Sequence, residues 1–182
     1  MKNSQIRIIS GKFKGRKLAT PTRETTHTMG SRERTALFNM ILPYLGNAVV
    51  LDTFAGSGAL GLEALSRGAK TATFVEISAS ATSVIRQNIA SLGVEQQTTI
   101  LQRPVEKFHS TQKFDVVFVD PPYTNYRHQT IWTIIKQILP VIGDNGILVL
   151  SHPAGHTPVF EGFELLTSRQ YAAANLTIFQ KK

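Results

Sequence analysis

The chain has 182 residues, of which 42% are hydrophobic and 18% charged, a composition that predicts one well-packed domain over residues 1–182. The absence of cysteine excludes a disulfide framework, a thiolate nucleophile and a Cys-ligated metal site. The first residues lead into no apolar run long enough for a signal peptide or a membrane span. We therefore expect a cytoplasmic protein with no membrane association.

The net charge of +8 is concentrated at the start of the chain. Residues 1–34 hold nine Lys or Arg against two Glu, a net charge of +7. A basic block on a nearly neutral body favours a polyanionic partner over simple solubility charge. Residues 1–30 are therefore predicted to form a basic extension, and residues 31–182 the core.

Residues 6–18 are predicted to form a short β-hairpin with glycines at its turn. Its basic residues are interleaved with Ile, Phe and Leu, so that one face packs while the other meets phosphates. The basic residues of this hairpin are Arg7, Lys12, Lys14, Arg16 and Lys17.

A loop over residues 20–30 is predicted to lead into the first helix. Ser31 is the expected N-cap, and the helix extends to about Tyr44. Its apolar face is predicted to consist of Leu37, Phe38, Ile41 and Leu42. Arg32 and Arg34 fall in the first turn, where the helix dipole disfavours cations, which hints at an anionic ligand.

From Ala48 onward, strands alternate with helices, which predicts a doubly wound, mostly parallel α/β sheet. The predicted strands cover residues 49–51, 71–75, 98–102, 114–119, 146–150, 163–167 and 174–179, the last two as an antiparallel pair. Three helices are predicted in this part of the chain. The first ends at about Arg67, the second runs from the cap Ser78 to about Leu92, and the third runs from His128 to Leu139.

The stretch from Phe114 to Tyr123 is predicted to be a buried strand followed by Asp120, Pro121, Pro122 and Tyr123. In open α/β sheets, ligands bind at the carboxyl ends of strands. The Asp120 carboxylate and the Pro121 carbonyl are suited to accept the N–H groups of a planar amine, and Tyr123 to stack on a base. The alternative is an ordinary turn at the end of a strand.

A G-x-G-x-x-G sequence, Gly56 to Gly61, follows the strand that ends in Asp52, and Glu76 closes the next strand. This arrangement is typical of dinucleotide binding, so a nicotinamide oxidoreductase is a reasonable first interpretation. A negative charge at Asp52 is unfavourable beside a pyrophosphate, however, and favourable beside a methionine ammonium or a sulfonium. S-adenosylmethionine is therefore the better fit.

The chain resembles the RsmD-type 16S rRNA guanine-N2 methyltransferases. The similarity lies in the run from Asp52 to Gly68, in Asp120 to Tyr123, in the hairpin pattern from Arg7 to Leu18, and in Arg32 and Arg34 followed by Leu37-Phe38-Asn39. It implies a Rossmann-like class I methyltransferase fold with a seven-stranded sheet. The implied activity is methyl transfer from S-adenosylmethionine to the 2-amino group of a guanine in 16S rRNA.

The resemblance also implies roles for individual residues. Asp120, Pro121, Pro122 and Tyr123 are the expected catalytic residues. Phosphate contacts are expected from the five hairpin residues together with Arg32 and Arg34. The implied cofactor pocket consists of Asp52, Phe54, Ala55, Gly56, Ser57, Gly58, Glu76, Ile77, Pro104, Val105 and Asp120.

Three other interpretations remain open on the sequence: a DNA adenine-N6 methyltransferase, a methyltransferase of protein side-chain amides, and a non-catalytic RNA-binding relative. The histidines show no metal-ligand spacing, so we expect no metal. We expect a monomer that acts on 16S rRNA or on an assembly intermediate of the small ribosomal subunit.

Overall fold

The computed structural model describes residues 6–21, 29–122, 126, 130–155, 157–171 and 174–182. Seven strands form one sheet in the order β3-β2-β1-β4-β5-β7-β6, in which β7 is antiparallel to both of its neighbours. The strands are β1 (Val49–Asp52), β2 (Thr71–Glu76), β3 (Thr98–Gln102), β4 (Phe114–Val119), β5 (Ile142–Pro153), β6 (Phe163–Tyr171) and β7 (Ala174–Lys181). The predicted doubly wound, mostly parallel sheet is confirmed.

The chain reverses direction across the sheet at β1. From β1 it builds β2 and β3 on one side, and it then returns to place β4 on the other side of β1. Residues of both central strands alternate between two apolar clusters, Val50 and Val116 in one, Leu51 and Val117 in the other. The sheet is therefore covered on both faces, which explains why these strands are continuously apolar.

In the described ranges, four α-helices cover the sheet: α1 (Ser31–Met40), α2 (Ala59–Ser66), α3 (Ala79–Leu92) and α4 (Thr130–Ile138). Buried residues of α1, α2 and α3 share one apolar cluster, and those of α4 belong to the other. The predicted N-cap Ser78 is confirmed, since its hydroxyl accepts a hydrogen bond from the Ala81 N–H. Among the described residues, no helix has the length and apolar character needed to cross a membrane.

Three details of the predicted first helix are wrong. The N-cap is Gly30 and not Ser31, and the Gly30 N–H donates to the Glu33 carboxylate at 3.0 Å. The α-helix ends at Met40 and a 3₁₀ turn follows over Leu42–Tyr44, because Pro43 cannot continue an α-helix. Leu42 is 52% exposed, so it does not belong to the apolar face.

β5 is longer than predicted because it begins with a segment whose sequence is typical of a turn. Gly143, Asp144 and Asn145 precede the predicted start at Gly146, and such residues favour turns. In the structure the pairing of β5 with β4 shifts register there, and Asn145 has a φ of 60°. The segment is thus a bulged part of the strand.

The predicted hairpin is confirmed by an antiparallel bridge between Arg7 and Lys17. It packs on α2 through the Glu63 carboxylate, which is completely buried and accepts the N–H groups of Ile9 at 2.7 Å and Ser10 at 3.0 Å. Arg67 donates to the same carboxylate at 2.7 Å. A buried charge satisfied in this way fixes the hairpin to the core.

Ser66 and Asn88 complete the attachment of the hairpin. The Lys12 N–H donates to the Ser66 carbonyl at 2.7 Å, and the Ser66 hydroxyl contacts the hairpin as well. The buried Asn88 amide exchanges two hydrogen bonds with the Ala19 backbone and donates to the Ser57 carbonyl at 2.9 Å. The basic extension is therefore connected to the glycine loop through the side chain of Asn88.

Gly11 and Gly15 provide a matched pair for testing how closely the hairpin approaches α2. Both have a φ near +80°, so an alanine at either position costs about 1–2 kcal/mol of backbone strain. A Cβ on Gly11 would lie 1.8 Å from the Ser66 carbonyl oxygen, whereas a Cβ on Gly15 meets no described heavy atom within 4 Å. Gly11→Ala should therefore lower the free energy of unfolding more than Gly15→Ala, as measured by urea denaturation.

Amide hydrogen exchange provides the accompanying local measurement. Gly11→Ala should increase exchange at Ile9, Ser10 and Lys12, whose N–H groups bond to α2, while Gly15→Ala should leave them protected. Equal protection of these N–H groups in the two variants would contradict the prediction, because it would mean that a Cβ on Gly11 leaves the hydrogen bonds between the hairpin and α2 intact.

Candidate active site

A cavity of about 440 Å³ lies at the carboxyl ends of β1, β2 and β4. Because β1 is the point at which the strand order reverses, the connections after β1 and β4 diverge and leave a crevice there. The lining residues are Pro21, Met29, Arg34, Asp52, Thr53, Phe54, Ala55, Gly56, Ser57, Ala59, Leu60, Val75, Glu76, Ile77, Ser78, Ser80, Ala81, Pro104, Val105, Glu106, Asp120 and Pro122.

Asp52, the last residue of β1, lies at the base of this cavity and is 2% exposed. One carboxylate oxygen accepts the Gly61 N–H at 3.1 Å. Burial raises the pKa of Asp52 from 3.8 to about 7; the Gly61 N–H opposes this shift, and the charges of Asp120 and Glu76 add to it. The site is thus suited to a cationic group that would relieve this concentration of negative charge.

Asp120 is the first residue after β4, and β4 pairs with β1, the strand that ends in Asp52. It is surrounded by protein but partly accessible from the cavity, and the Ser151 hydroxyl hydrogen-bonds to it. Burial raises the pKa of Asp120 from 3.8 to about 6, against the effect of Ser151 and with a contribution from Glu33. Asp120 is therefore an ionised hydrogen-bond acceptor at neutral pH.

The glycine loop is held in place by Glu76 at the end of β2. One oxygen of this carboxylate accepts the Gly56 N–H at 2.9 Å, and the other accepts the Ser78 N–H at 2.8 Å. Gly61 in the following helix allows close contact with β2, since a Cβ there would lie 2.4 Å from the Phe74 ring. Each oxygen of Glu76 keeps a lone pair for a ligand hydroxyl.

Part of the cavity lining is apolar. Ile77 is 66% exposed although it lines the cavity, and Val105, which follows β3, also lines it. Exposed large aliphatic side chains at a cavity are suited to cover a planar ring. Pro104 stands next to Val105, and Glu106 adds a further carboxylate.

The structure brings ten of the eleven residues of the expected cofactor pocket together in this cavity. The exception is Gly58, which is not among the lining residues and has a φ of +78° at the start of α2. Of the expected catalytic residues, Asp120 and Pro122 line the cavity, whereas Pro121 is buried outside it. Tyr123 lies outside the described residues.

Six of the seven basic residues predicted to meet phosphates are exposed: Arg7, Lys12, Lys14, Arg16, Lys17 and Arg32. Some of them also support the hairpin. The Arg7 guanidinium donates to the Gly15 carbonyl at 3.0 Å, and that of Arg16 donates to the Ser91 carbonyl.

Arg34, the seventh residue predicted to contact phosphates, is not exposed as that prediction requires. It is only 3% exposed, because helix α1 turns this side chain inward between the hairpin and the cavity, and its guanidinium donates to the Arg7 carbonyl at 2.9 Å. It is therefore not part of the exposed basic surface. Its position four residues after the Gly30 cap, one turn before Phe38, contained the signal that it faces inward.

Other lining residues were missed by sequence reasoning. Pro21 and Met29 flank residues 22–28, which are not described, and both contact the cavity from the N-terminal side. A segment without periodicity gives no sign of where it packs. Within the described part of the chain, no group of three or more His, Asp or Glu residues has a metal-binding arrangement.

The order of the strands, the glycine loop after β1 and the acid at the end of β2 together define the Rossmann-like fold of class I methyltransferases. The solved structure of yhhF from Escherichia coli has this fold with a TM-score of 0.88. It is 30% identical to this chain, and the match covers 98% of each.

The model of the family described as "Conserved hypothetical protein 95" matches residues 6–180, and the chain belongs to this family of RsmD-type methyltransferases. "Ribosomal RNA small subunit methyltransferase D" from Haemophilus influenzae is 40% identical over 124 residues, which span 65% of this chain and 64% of that protein. YlbH from Bacillus subtilis is 30% identical over 184 residues, which span 97% of this chain and all of that protein.

Asp52 should make the ligand-free protein less stable as the pH rises. Its pKa is higher in the folded chain than the ordinary value of 3.8, so between pH 4 and 7 the folded state binds the extra proton and the free energy of unfolding falls with pH. Asp52→Asn removes this contribution. The free energy of unfolding of the variant minus that of the wild type should therefore increase from pH 4 to 7 and stay constant above pH 7.

The measurement is urea denaturation of both proteins at several pH values without added ligand. Asp120→Asn serves as a parallel case. Its difference in the free energy of unfolding from the wild type should stop increasing near pH 6, where Asp120 titrates. A difference that does not change across this range would mean that the folded chain leaves the pKa of Asp52 near 3.8.

Proposed function

We propose that this protein transfers a methyl group from S-adenosylmethionine to the exocyclic 2-amino group of a guanine in the 16S rRNA of the small ribosomal subunit. The observation that carries the proposal is the position of Asp120. This acceptor lies at the carboxyl end of β4, beside a cavity whose glycine loop and acids suit S-adenosylmethionine.

The chemistry of the lining residues fits this cofactor. Asp52 lies buried where an ammonium or a sulfonium would be stabilised, and Glu76 has lone pairs available for ribose hydroxyls. Ile77 and Val105 provide an apolar wall for the adenine ring, with Pro104 beside them. When bound, S-adenosylmethionine supplies an electrophilic methyl group, carried on a positively charged sulfur that leaves as a neutral thioether.

Asp120 would accept an N–H of the guanine amine and so direct the nitrogen lone pair toward the cofactor side of the cavity. The Pro121 carbonyl is the proposed second acceptor, and Tyr123 the proposed stacking residue. After transfer the nitrogen carries positive charge and becomes acidic, so its proton can leave to Asp120 or to water. Positioning of this kind supplies about 7–11 kcal/mol of the lowering of the barrier in favourable cases.

Recognition of the RNA is proposed to come from the exposed basic residues of the hairpin and from Arg32. Contacts to phosphates position a nucleic acid without reading its sequence. A guanine within folded RNA would leave its stack to reach Asp120. Two relatives support this substrate class by name, since the Haemophilus influenzae and Escherichia coli proteins are both ribosomal RNA small subunit methyltransferase D.

We further propose that residues 1–182 act as one domain and as a monomer in the cytoplasm. The hairpin supports the assignment to one domain, because its backbone hydrogen bonds to Glu63 and Ser66 make it part of the same packed unit as α2. The substrate is then either free 16S rRNA or an assembly intermediate of the subunit.

The test of this proposal is transfer of labelled methyl from S-adenosylmethionine to small ribosomal subunits, free 16S rRNA, duplex DNA and bulk protein in parallel. Subunits and rRNA should come from cells that lack the enzyme, so that the target base is unmodified. Label recovered as N2-methylguanine in the rRNA is the expected result. Label in adenine of DNA or in protein side chains would refute the proposed substrate.

Asp120→Asn should reduce methyl transfer by at least 100-fold while changing the affinity for S-adenosylhomocysteine less than fivefold, because the charged acceptor acts on the amine and not on the cofactor. Wild-type activity should also fall below about pH 6, where Asp120 takes up a proton. Single-turnover rates and calorimetric titration measure the two quantities. Loss of cofactor binding in a folded variant would contradict this division of roles.

Charge reversal in the hairpin should weaken RNA binding and flatten its dependence on salt. The variant combines Lys12→Glu, Lys14→Glu and Lys17→Glu, three exposed positions whose side chains make no described hydrogen bond to the core. Each lost phosphate contact should reduce the slope of log K against log salt by about 0.7–0.9.

A matched control reverses three exposed charges elsewhere, with Lys136→Glu, Arg169→Glu and Lys182→Glu. This control changes the net charge by the same amount. Fluorescence anisotropy with a 16S rRNA fragment measures both variants from 50 to 300 mM KCl. Equal salt slopes in the two variants would mean that RNA senses only the total charge of the protein.

A further inference from the structure

More acidic than basic side chains line the cavity. Four carboxylates line it, those of Asp52, Glu76, Glu106 and Asp120, and among the described residues Arg34 is the one basic side chain that does so. If S-adenosylmethionine binds there, as proposed above, its methionine end brings a carboxylate as well as an ammonium and a sulfonium. That carboxylate needs a positive partner in a cavity that is otherwise negative.

Arg34 has a hydrogen-bond donor available for such a group. Its Nη2 donates to the Arg7 carbonyl at 2.9 Å, but its Nε is buried and has no hydrogen-bond partner among the described residues. It is also the one buried side-chain nitrogen or oxygen of the described residues in this condition. Buried polar atoms in native proteins are nearly always paired, so an unpaired one at a cavity indicates a missing ligand.

No carboxylate of the described residues forms an ion pair with Arg34. Among the described residues none lies within 4.0 Å of its guanidinium, which forms neither of the two ion pairs found. Glu63 acts on Arg34 electrostatically, but its carboxylate is already occupied by the N–H groups of Ile9 and Ser10 and by Arg67. Burial lowers the pKa of Arg34, as expected for a cation that lacks a partner, and Glu63 offsets this only in part.

We infer that Arg34 binds the α-carboxylate of the methionine moiety of S-adenosylmethionine. This inference rests on the proposed function and assigns Arg34 to the cofactor instead of the RNA. An arginine is suited to the task because its guanidinium presents several N–H groups in one plane, so it can hold the hairpin through Nη2 and still donate to a carboxylate.

The test compares two ligands that differ only in this carboxylate, S-adenosylmethionine and decarboxylated S-adenosylmethionine, by calorimetric titration of the full chain. Arg34→Gln should weaken binding of S-adenosylmethionine by about 10- to 100-fold, the range expected for hydrogen bonds to a charged group. Its affinity for the decarboxylated ligand should change less than threefold. The wild-type preference for the carboxylated ligand should thus largely disappear.

Two further variants complete the experiment. Arg34→Lys keeps the charge but not the planar donors, and should lose an intermediate amount of affinity for S-adenosylmethionine alone. Should Arg34→Gln not fold, Arg34→Lys carries the same comparison. Arg86→Gln removes one charge from an exposed position on α3 that does not line the cavity, and should leave both affinities unchanged.

The outcomes separate the role of Arg34 from the proposed methyl transfer. A selective loss for the carboxylated ligand supports the role of Arg34. An equal loss for both ligands, or no loss for either, would overturn that role while leaving the proposed methyl transfer intact. If the wild-type protein binds neither ligand, the proposed function fails and this inference fails with it.

Discussion

The parallel pairing of β1 with β4 is the constraint on which the rest of the site depends. Because Asp52 aligns with Phe118, the chain that leaves β4 places Asp120 beside the end of β1. The same pairing makes β1 the strand at which the winding reverses, so the connections on either side diverge and open the cavity. A slip of one residue between these strands would turn Asp52 toward the opposite face of the sheet.

The electrostatic character of the molecule divides into two regions of opposite sign. Acidic side chains line the cavity, whereas a cluster of five exposed cations lies on the hairpin that packs against α2. Arg34 is located between these regions, with one contact to the hairpin and one side toward the cavity. This separation allows one small chain to attract a polyanion at its surface and a cation in its interior without the two competing.

Local patterns were sufficient to predict the strands, the glycine loop and the acids at the strand ends, because each is determined by neighbours in sequence. Features that depend on distant partners were not predictable. The hydrogen bond from Arg34 to the Arg7 carbonyl requires knowing that the hairpin packs on α1. Two partners of the buried Glu63 carboxylate, Ile9 and Ser10, lie more than 50 residues away in sequence. The length of β5 was misjudged because Gly143 to Gly146 form a bulge where their sequence favours a turn.

The attachment of the hairpin to α2 and α3 also determines the order in which the protein can be built. The hairpin is synthesised before α2 and α3, but the acceptors for its backbone N–H groups, Glu63 and Ser66, lie on α2. The Ala19 N–H likewise needs the side chain of Asn88 on α3. At ribosomal speeds of about 5–20 residues per second, the first residues remain without these partners for several seconds. The hairpin thus completes its structure only on a chain that already contains the glycine loop and the two helices that follow it.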